Sequence, residues 1–480
     1  MGKRILFFMI LSALVFALSG IAYAWQGRMG GMGDPFGLVQ DESDYLIHPA
    51  KIANGEGVRF YSDYRFTYTG VTKWDDRLND LVDVSGKELR HNALVGAAFP
   101  LGPGRMGLFF TYEGMRGSYD GNSDPFILTI KNNLDNFAGR VMYGLPVGGS
   151  FKLGAEAQLA YRRELQRVDD SNGNLLFLND WWSPYPFPND SKYLEALFKG
   201  SLDGKVGLFD VELTVRGGFI VPGTTSSDWD YRELIGGTAV DAWNASGTVH
   251  GWQVGGDLWL RYPLAPDLTL PVLVRADYRH KTRDGSGLEL AGPISIDFQG
   301  EATNLAITVG GGLDKKISKA TRIAGGIYYN FLRQEEDFTT TESIVILSIR
   351  EGLSYPHSME HQILFRLAGE HTFSPTVTLR AGLNAFYGWV IPELTDNFMV
   401  SFLGVPVIVD NTHEGPGHGY DWGLLASLGG TVKVKPITLE PFVGFGYRQF
   451  HIGMADPPLR ETISRNEWLI TTGLSILYDL

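Results

Sequence analysis

The sequence predicts an all-β fold, a transmembrane antiparallel up-and-down β-barrel of about sixteen strands. Three observations carry this expectation. Sixteen stretches alternate apolar and polar residues, short turns and long loops follow them by turns, and both ends of the chain read as those of an exported, membrane-inserted protein. Successive side chains of a strand point to opposite faces, so alternation gives one greasy and one polar face. The clearest stretch is Phe151 to Arg162: one row reads Phe151, Leu153, Ala155, Ala157, Leu159, Tyr161, and the other carries Lys152, Glu156, Gln158 and Arg162. A strand of about ten residues crosses a bilayer when tilted, whereas strands of soluble sandwiches run to about five or six.

Taken in order, strands are expected near 57–70, 89–100, 105–116, 134–146, 151–167, 192–203, 206–219, 248–262, 268–283, 297–313, 320–335, 358–373, 376–390, 419–434, 437–452 and 465–480. Short connections such as Leu101-Gly102-Pro103-Gly104, Val147-Gly148-Gly149-Ser150 and Lys435-Pro436 hold residues that favour tight turns. The long ones fall near 71–88, 117–133, 168–191, 220–247, 284–296, 336–357, 391–418 and 453–464, and short and long never trade places. In outer-membrane barrels short turns are periplasmic and long loops external. Both ends then lie in the periplasm, which requires an even strand number; fourteen or eighteen strands also satisfy it.

The first 24 residues read as a signal peptide: Lys3 and Arg4, an apolar run from Ile5 to Leu18, and a small-x-small site, Ala22-Tyr23-Ala24. The apolar run is shorter than the roughly twenty residues that a spanning helix needs. At the other end Trp468, Ile470, Thr472, Leu474, Ile476, Tyr478 and Leu480 alternate with small or polar neighbours to the last residue. This resembles the terminal signal read by the barrel-assembly machinery, with Leu480 where Phe is usual. Residues 25–56 form a plug or a periplasmic lead-in, and 57–480 the barrel.

Composition narrows the chemistry. With no cysteine, disulfides, thiol catalysis, Cys-held metals, covalent haem and an N-terminal lipid anchor are excluded. The formal charge of −13 argues against nucleic acid as a partner. Asp410, His413, Glu414 and His418 lie close in sequence, but match no strong metal signature and read better as a solvated loop. No Ser–His spacing singles out a catalytic pair, so the chain is not read as an enzyme, and no cofactor is expected.

The apolar rows, for example Val272, Val274, Ala276 and Tyr278, or Ile323, Gly325, Ile327, Tyr329 and Phe331, should meet outer-membrane lipid. Tyr and Trp near strand ends (Tyr161, Trp389, Tyr447, Trp468, Tyr478) suit the headgroup boundary. The opposite rows are charged: Arg59, Asp63 and Arg65; Arg140; Glu156 and Arg162; Glu212 and Arg216; Asp257 and Arg261; Arg275, Asp277, Arg279 and Lys281; Arg366 and Glu370; Arg380; Glu440 and Arg448. Such charges are costly in a dry core unless paired. A barrel of about sixteen strands leaves room for water around them. They either bias a solute path or form a ladder of pairs that stiffens the wall, and the two roles are compatible.

Before the first strand come a Gly-rich stretch (Gly27 to Gly37), an acidic patch (Asp41, Glu42, Asp44) and His48-Pro49-Ala50. This resembles the N-terminal hatch of the FadL family of outer-membrane transporters for hydrophobic compounds, where an Asn-Pro-Ala motif precedes the first strand. His48 stands in place of Asn, the resemblance covers about 30 residues, and family barrels have fourteen strands. It implies a plug inside the barrel and an apolar cargo. Two loops stand out as well: 341–350 is unusually apolar, suiting either an inward constriction or an extended hairpin, and 168–191 carries an aromatic cluster. The leading expectation is an outer-membrane channel for passive diffusion of small solutes through a charged, water-filled lumen. The alternatives are a FadL-like transporter, or a sleeve around a periplasmic partner such as a cytochrome.

Overall fold

In the computed structural model the described residues are 32, 38–39, 42–75, 82–123, 126–170, 189–229, 233–235, 238–240, 243–289, 295–344, 347–402, 405–414, 418–453 and 462–480. The signal peptide and the aromatic cluster of 171–188 lie outside them. Sixteen antiparallel strands form one closed wall. They are Arg59–Asp75, Val82–Leu101, Gly104–Ser123, Phe126–Val147, Phe151–Asp170, Asn189–Val206, Phe209–Trp229, Trp243–Ala265, Leu268–Glu289, Ser295–Lys316, Thr321–Ile344, Leu347–Ser374, Val377–Phe402, His418–Val434, Ile437–Gly453 and Thr462–Asp479. Each pairs with its sequence neighbours, and the first pairs with the last, from Arg59 opposite Asp479 to Asp75 opposite Ile463. Closure removes the unpaired edges that an open sheet would present, as a bilayer requires. The strand number is sixteen.

The short connections are tight turns. Gly102 and Gly148 have φ of 58° and 64°, a left-handed conformation that glycine adopts without a side-chain penalty. At the long-loop end the strands run past the expected boundaries. Leu347–Ser374 has 28 residues, against the roughly 9–11 that a crossing needs. Beyond the bilayer both faces meet water, so the apolar–polar period fades from the sequence while the backbone keeps pairing. Residues 341–344 and 347–350 of the apolar stretch belong to such an extension, with Ile344 opposite Leu347. Asp410, His413 and Glu414 sit on an added strand, Val405–Glu414, paired to the extension of Val377–Phe402. A small separate hairpin joins Glu233–Ile235 and Thr238–Val240.

The two faces separate as the alternation demands. Val274 is 48% exposed and Ile327 60%, whereas Trp259, Ala324 and Tyr328 on the inward rows are at most 2% exposed. Tyr161, Trp389, Tyr447, Trp468 and Tyr478 stand on the outer face.

Candidate functional site

The described residues ahead of the first strand lie against the inner wall. Two 3-10 helices, Glu42–Leu46 and Pro49–Asn54, meet head to tail at His48. Proline at the first position of the second helix suits its fixed φ and missing N–H. The second helix seats against the strands from Gly104 to Val206. There Tyr45, Leu46 and Ile52 pack with Tyr61, Leu94, Ala98, Phe109 and Met142. Farther back, Met32, Leu38 and Val39 pack against Trp259, Leu273, Ala324, Tyr328 and Ala368, on a different arc of the wall. The described residues of the segment thus meet two separate arcs of the inner wall.

The wall is shaped to receive it. A side chain on Gly154 would overlap the backbone of Pro49 and Ala50; one on Gly107 would come within 2.5 Å of Ile52, and one on Gly144 within 2.6 Å. Gly144 and Gly154 are register partners on adjacent strands, so the bare backbones line up under the helix. The Ala50 amide donates to Ser201 Oγ at 2.7 Å, and Lys199 Nζ donates to the Leu46 carbonyl at 2.8 Å. Arg105 donates to the Gly57 carbonyl at 2.6 Å, tying down the exit into the first strand.

Charge fixes the centre. Lys51 is buried between Asp44 at 2.9 Å and Glu212 at 2.8 Å. Burial opposes its charge, but the two carboxylates outweigh burial and raise its pKa. Glu212 also takes Arg261 at 3.0 Å. The His48 ring shares a hydrogen bond with Thr214 Oγ1 at 2.6 Å and brings Nε2 to 3.4 Å from Asp257 and 3.6 Å from Glu212. Burial, and then the neighbouring Lys51, hold the His48 pKa below its ordinary value despite the carboxylates.

The charged residues named from the sequence all lie on the inward rows, mostly as pairs. Arg216 bridges Asp257 and Asp277, each at 2.6 Å, with Arg275 at 3.9 Å from Asp257. Arg162 and Arg279 reach Glu195 at 3.4 and 3.3 Å, and Lys281 reaches Glu164 at 2.5 Å. Arg140 stands 4.0 Å from Glu156, Arg448 takes Asp421 at 2.6 Å, and Arg380 takes Glu370 and Glu440, each at 3.4 Å. Arg59 pairs with Asp479 across the closing seam. Asp63 accepts from Ser475, Arg65 lies over Phe442, and Arg366 lies over Tyr328. Lys51, Asp44 and Arg105 went unnoticed as anchors in the sequence, because their partners are 7 to more than 150 residues away.

Several cavities border this arrangement, and two of them bear on the lumen. One of 260 Å³ lies beside His48 and is lined by Ile47, Trp259, Leu273, Tyr328, Leu364 and Arg366 among others. The other, of 970 Å³, opens at the short-turn end where no described residue of the N-terminal segment lines it; Glu370, Arg380, Lys433, Lys435, Glu440 and Asp479 do.

No protein-family model matches the chain, and no curated protein does. Among solved structures, a deletion mutant of the monoaromatic hydrocarbon channel TodX is similar over 95% of this chain and 99% of its own, at 12% identity and a TM-score of 0.49. A FadL homologue of Pseudomonas aeruginosa is similar over 94% and 98%, at 10% identity and 0.43. The toluene transporter TbuX of Ralstonia pickettii matches over 94% and 98%, at 12% and 0.42. At these values the likeness carries no argument about function, which rests on the geometry of the lumen.

Proposed function

We propose that the chain is an outer-membrane transport channel whose lumen is occupied by its own N-terminal hatch, and that it passes small, largely apolar compounds. The observation that carries this reading is the seating of residues 38–39 and 42–54 on two arcs of the inner wall, beside a cavity lined by Ile47, Trp259, Leu273, Tyr328 and Leu364. Small-molecule sites are commonly concave, mainly apolar and furnished with a few polar groups. Paired inward arginines favour the role of stiffening the wall over that of a free charged ring. The 970 Å³ polar cavity supports a second reading, a charge-biased diffusion path past the hatch.

Proteoliposome swelling separates the two. Vesicles holding the wild-type barrel are expected to swell slowly in small sugars yet to equilibrate toluene faster than empty vesicles do. Rapid swelling in sugars with no gain for toluene would overturn the transporter reading in favour of diffusion.

A further inference from the structure

We propose that one arc of the short-turn rim is a binding surface for anionic phospholipid of the periplasmic leaflet. This requires an outer-membrane barrel and is independent of what the lumen carries.

The first observation is a set of unmatched charges. Six adjacent strands, from Ser295–Lys316 to Ile437–Gly453, are joined at the short-turn end by the turns 317–320, 375–376 and 435–436. At the first and last of these stand five exposed lysines, Lys315, Lys316, Lys319, Lys433 and Lys435. None of them makes an ion pair among the described residues. The carboxylates around them are engaged elsewhere: Asp314 takes Arg322 at 2.7 Å, Glu370 and Glu440 take Arg380 at 3.4 Å, and Asp479 takes Arg59. Asp267 on the preceding turn and the carboxylate of Leu480 remain, two negative groups against five positive.

The second is that the rest of the rim differs. The turns at Gly102 and Gly148 carry no charge, Lys152 is matched by Asp203 at 3.2 Å, and Lys205 stands 3.9 Å from Asp210. The chain as a whole is acidic, at −13, so a surplus of cations gathered on one arc is a local feature and not a background.

Position names the partner. Short turns lie on the periplasmic side, and these lysines stand where the lipid-facing rows end. Val309 and Leu313 are exposed on the outer face, and Lys315 is next in that row. Val432 and Val434, also exposed, lead to Lys435; Ile317 precedes Lys319, and Phe373 fills the arc between. A lysine stem lies along such apolar surface while its ammonium reaches the phosphate layer. Lys316 and Lys433 belong to the inward rows and reinforce the same field from behind, within a Debye length of roughly 8 Å.

Native mass spectrometry of the detergent-solubilised full chain tests this, with phosphatidylglycerol and phosphatidylcholine of the same acyl chains as probes. A lysine beside an anionic lipid surface is worth about a fivefold gain, so phosphatidylglycerol is expected to bind at least about fivefold more tightly. Replacing all five lysines with Gln should abolish that preference and leave heat-modifiable mobility unchanged. Lys433→Gln with Lys435→Gln should reduce it, so the test survives if the variant lacking all five assembles poorly. Lys152→Gln with Lys205→Gln, on the matched arc, should leave it as it is. Equal binding of the two lipids overturns the proposal and leaves the arc to a soluble acidic partner. A preference that persists without the five lysines, or that the Lys152 and Lys205 substitutions remove equally well, overturns it too.

Discussion

At the scale of single residues, Lys51 and His48 decide whether the N-terminal segment stays seated. Removing one partner of a buried ion pair typically costs about 3–5 kcal/mol, because the other charge is left stranded. Lys51→Met leaves Asp44 and Glu212 facing each other across the seat, with Arg261 as the remaining cation. Release of the segment is the expected result, with the barrel itself intact. The natural absence of cysteine makes this measurable: a single cysteine at Ile52, 1% exposed in the wild type, should react with a maleimide far faster in the Lys51→Met background. His48 adds a pH dependence. Its folded pKa is lowered, so the released segment binds the proton more readily than the seated one. Stability from the neutral ring is therefore present above the unperturbed value of 6.5 and is lost as pH falls below it toward the folded value. Lys51, Asp44, Glu212 and Asp257 surround the ring, and Lys51 opposes a second positive charge there. Labelling at position 52 should rise as the pH drops from 7 to 5, and His48→Gln should flatten that rise. A rise unchanged in the variant would assign it to other groups.

At the scale of elements, the seat is a strip of glycines and the wall is a set of alternating strands. Gly154→Val puts a side chain where the Pro49–Ala50 backbone runs. On the barrel alone a valine favours the strand, so the variant should fold with unchanged heat-modifiable mobility and yet label at position 52 as fast as Lys51→Met does. Slow labelling would mean that the segment shifts without leaving. The wall has its own test. Val274 faces lipid and Arg275 the lumen; Val274→Arg should hinder assembly, since a charge on the lipid face costs about 2–4 kcal/mol near mid-membrane, while Arg275→Gln should assemble nearly normally. The alternation made these faces readable in the sequence, because lipid selects an unbroken apolar row. It also pointed to about sixteen strands, through turn residues such as Gly102 and Gly148, while leaving fourteen or eighteen open. What it did not reveal was strand length at the loop end, where neither face is selected for apolarity. The hatch seat was equally hidden, since nothing in the strand pattern marks Gly107, Gly144 and Gly154. Their meaning comes from Ile52 and Ala50, brought to them from outside the strands.

At the scale of the whole molecule, the charged inward rows predict a watery lumen from sequence, and the structure adds that most of those charges hold one another. Arg216 with Asp257 and Asp277 is one such knot; Arg380 with Glu370 and Glu440 is another. A sixteen-strand barrel is wide enough for an aqueous channel, so on the proposed function it is the N-terminal segment, rather than the wall, that limits passage. The central claim is that this segment obstructs the lumen. Conductance in planar bilayers tests it most directly, comparing the mature wild type with a variant lacking residues 25–54. The account predicts small or rare wild-type steps and a large, stable increase on deletion, with the variant inserting as efficiently as its parent. Wild-type steps already at the level of the deletion variant would contradict it.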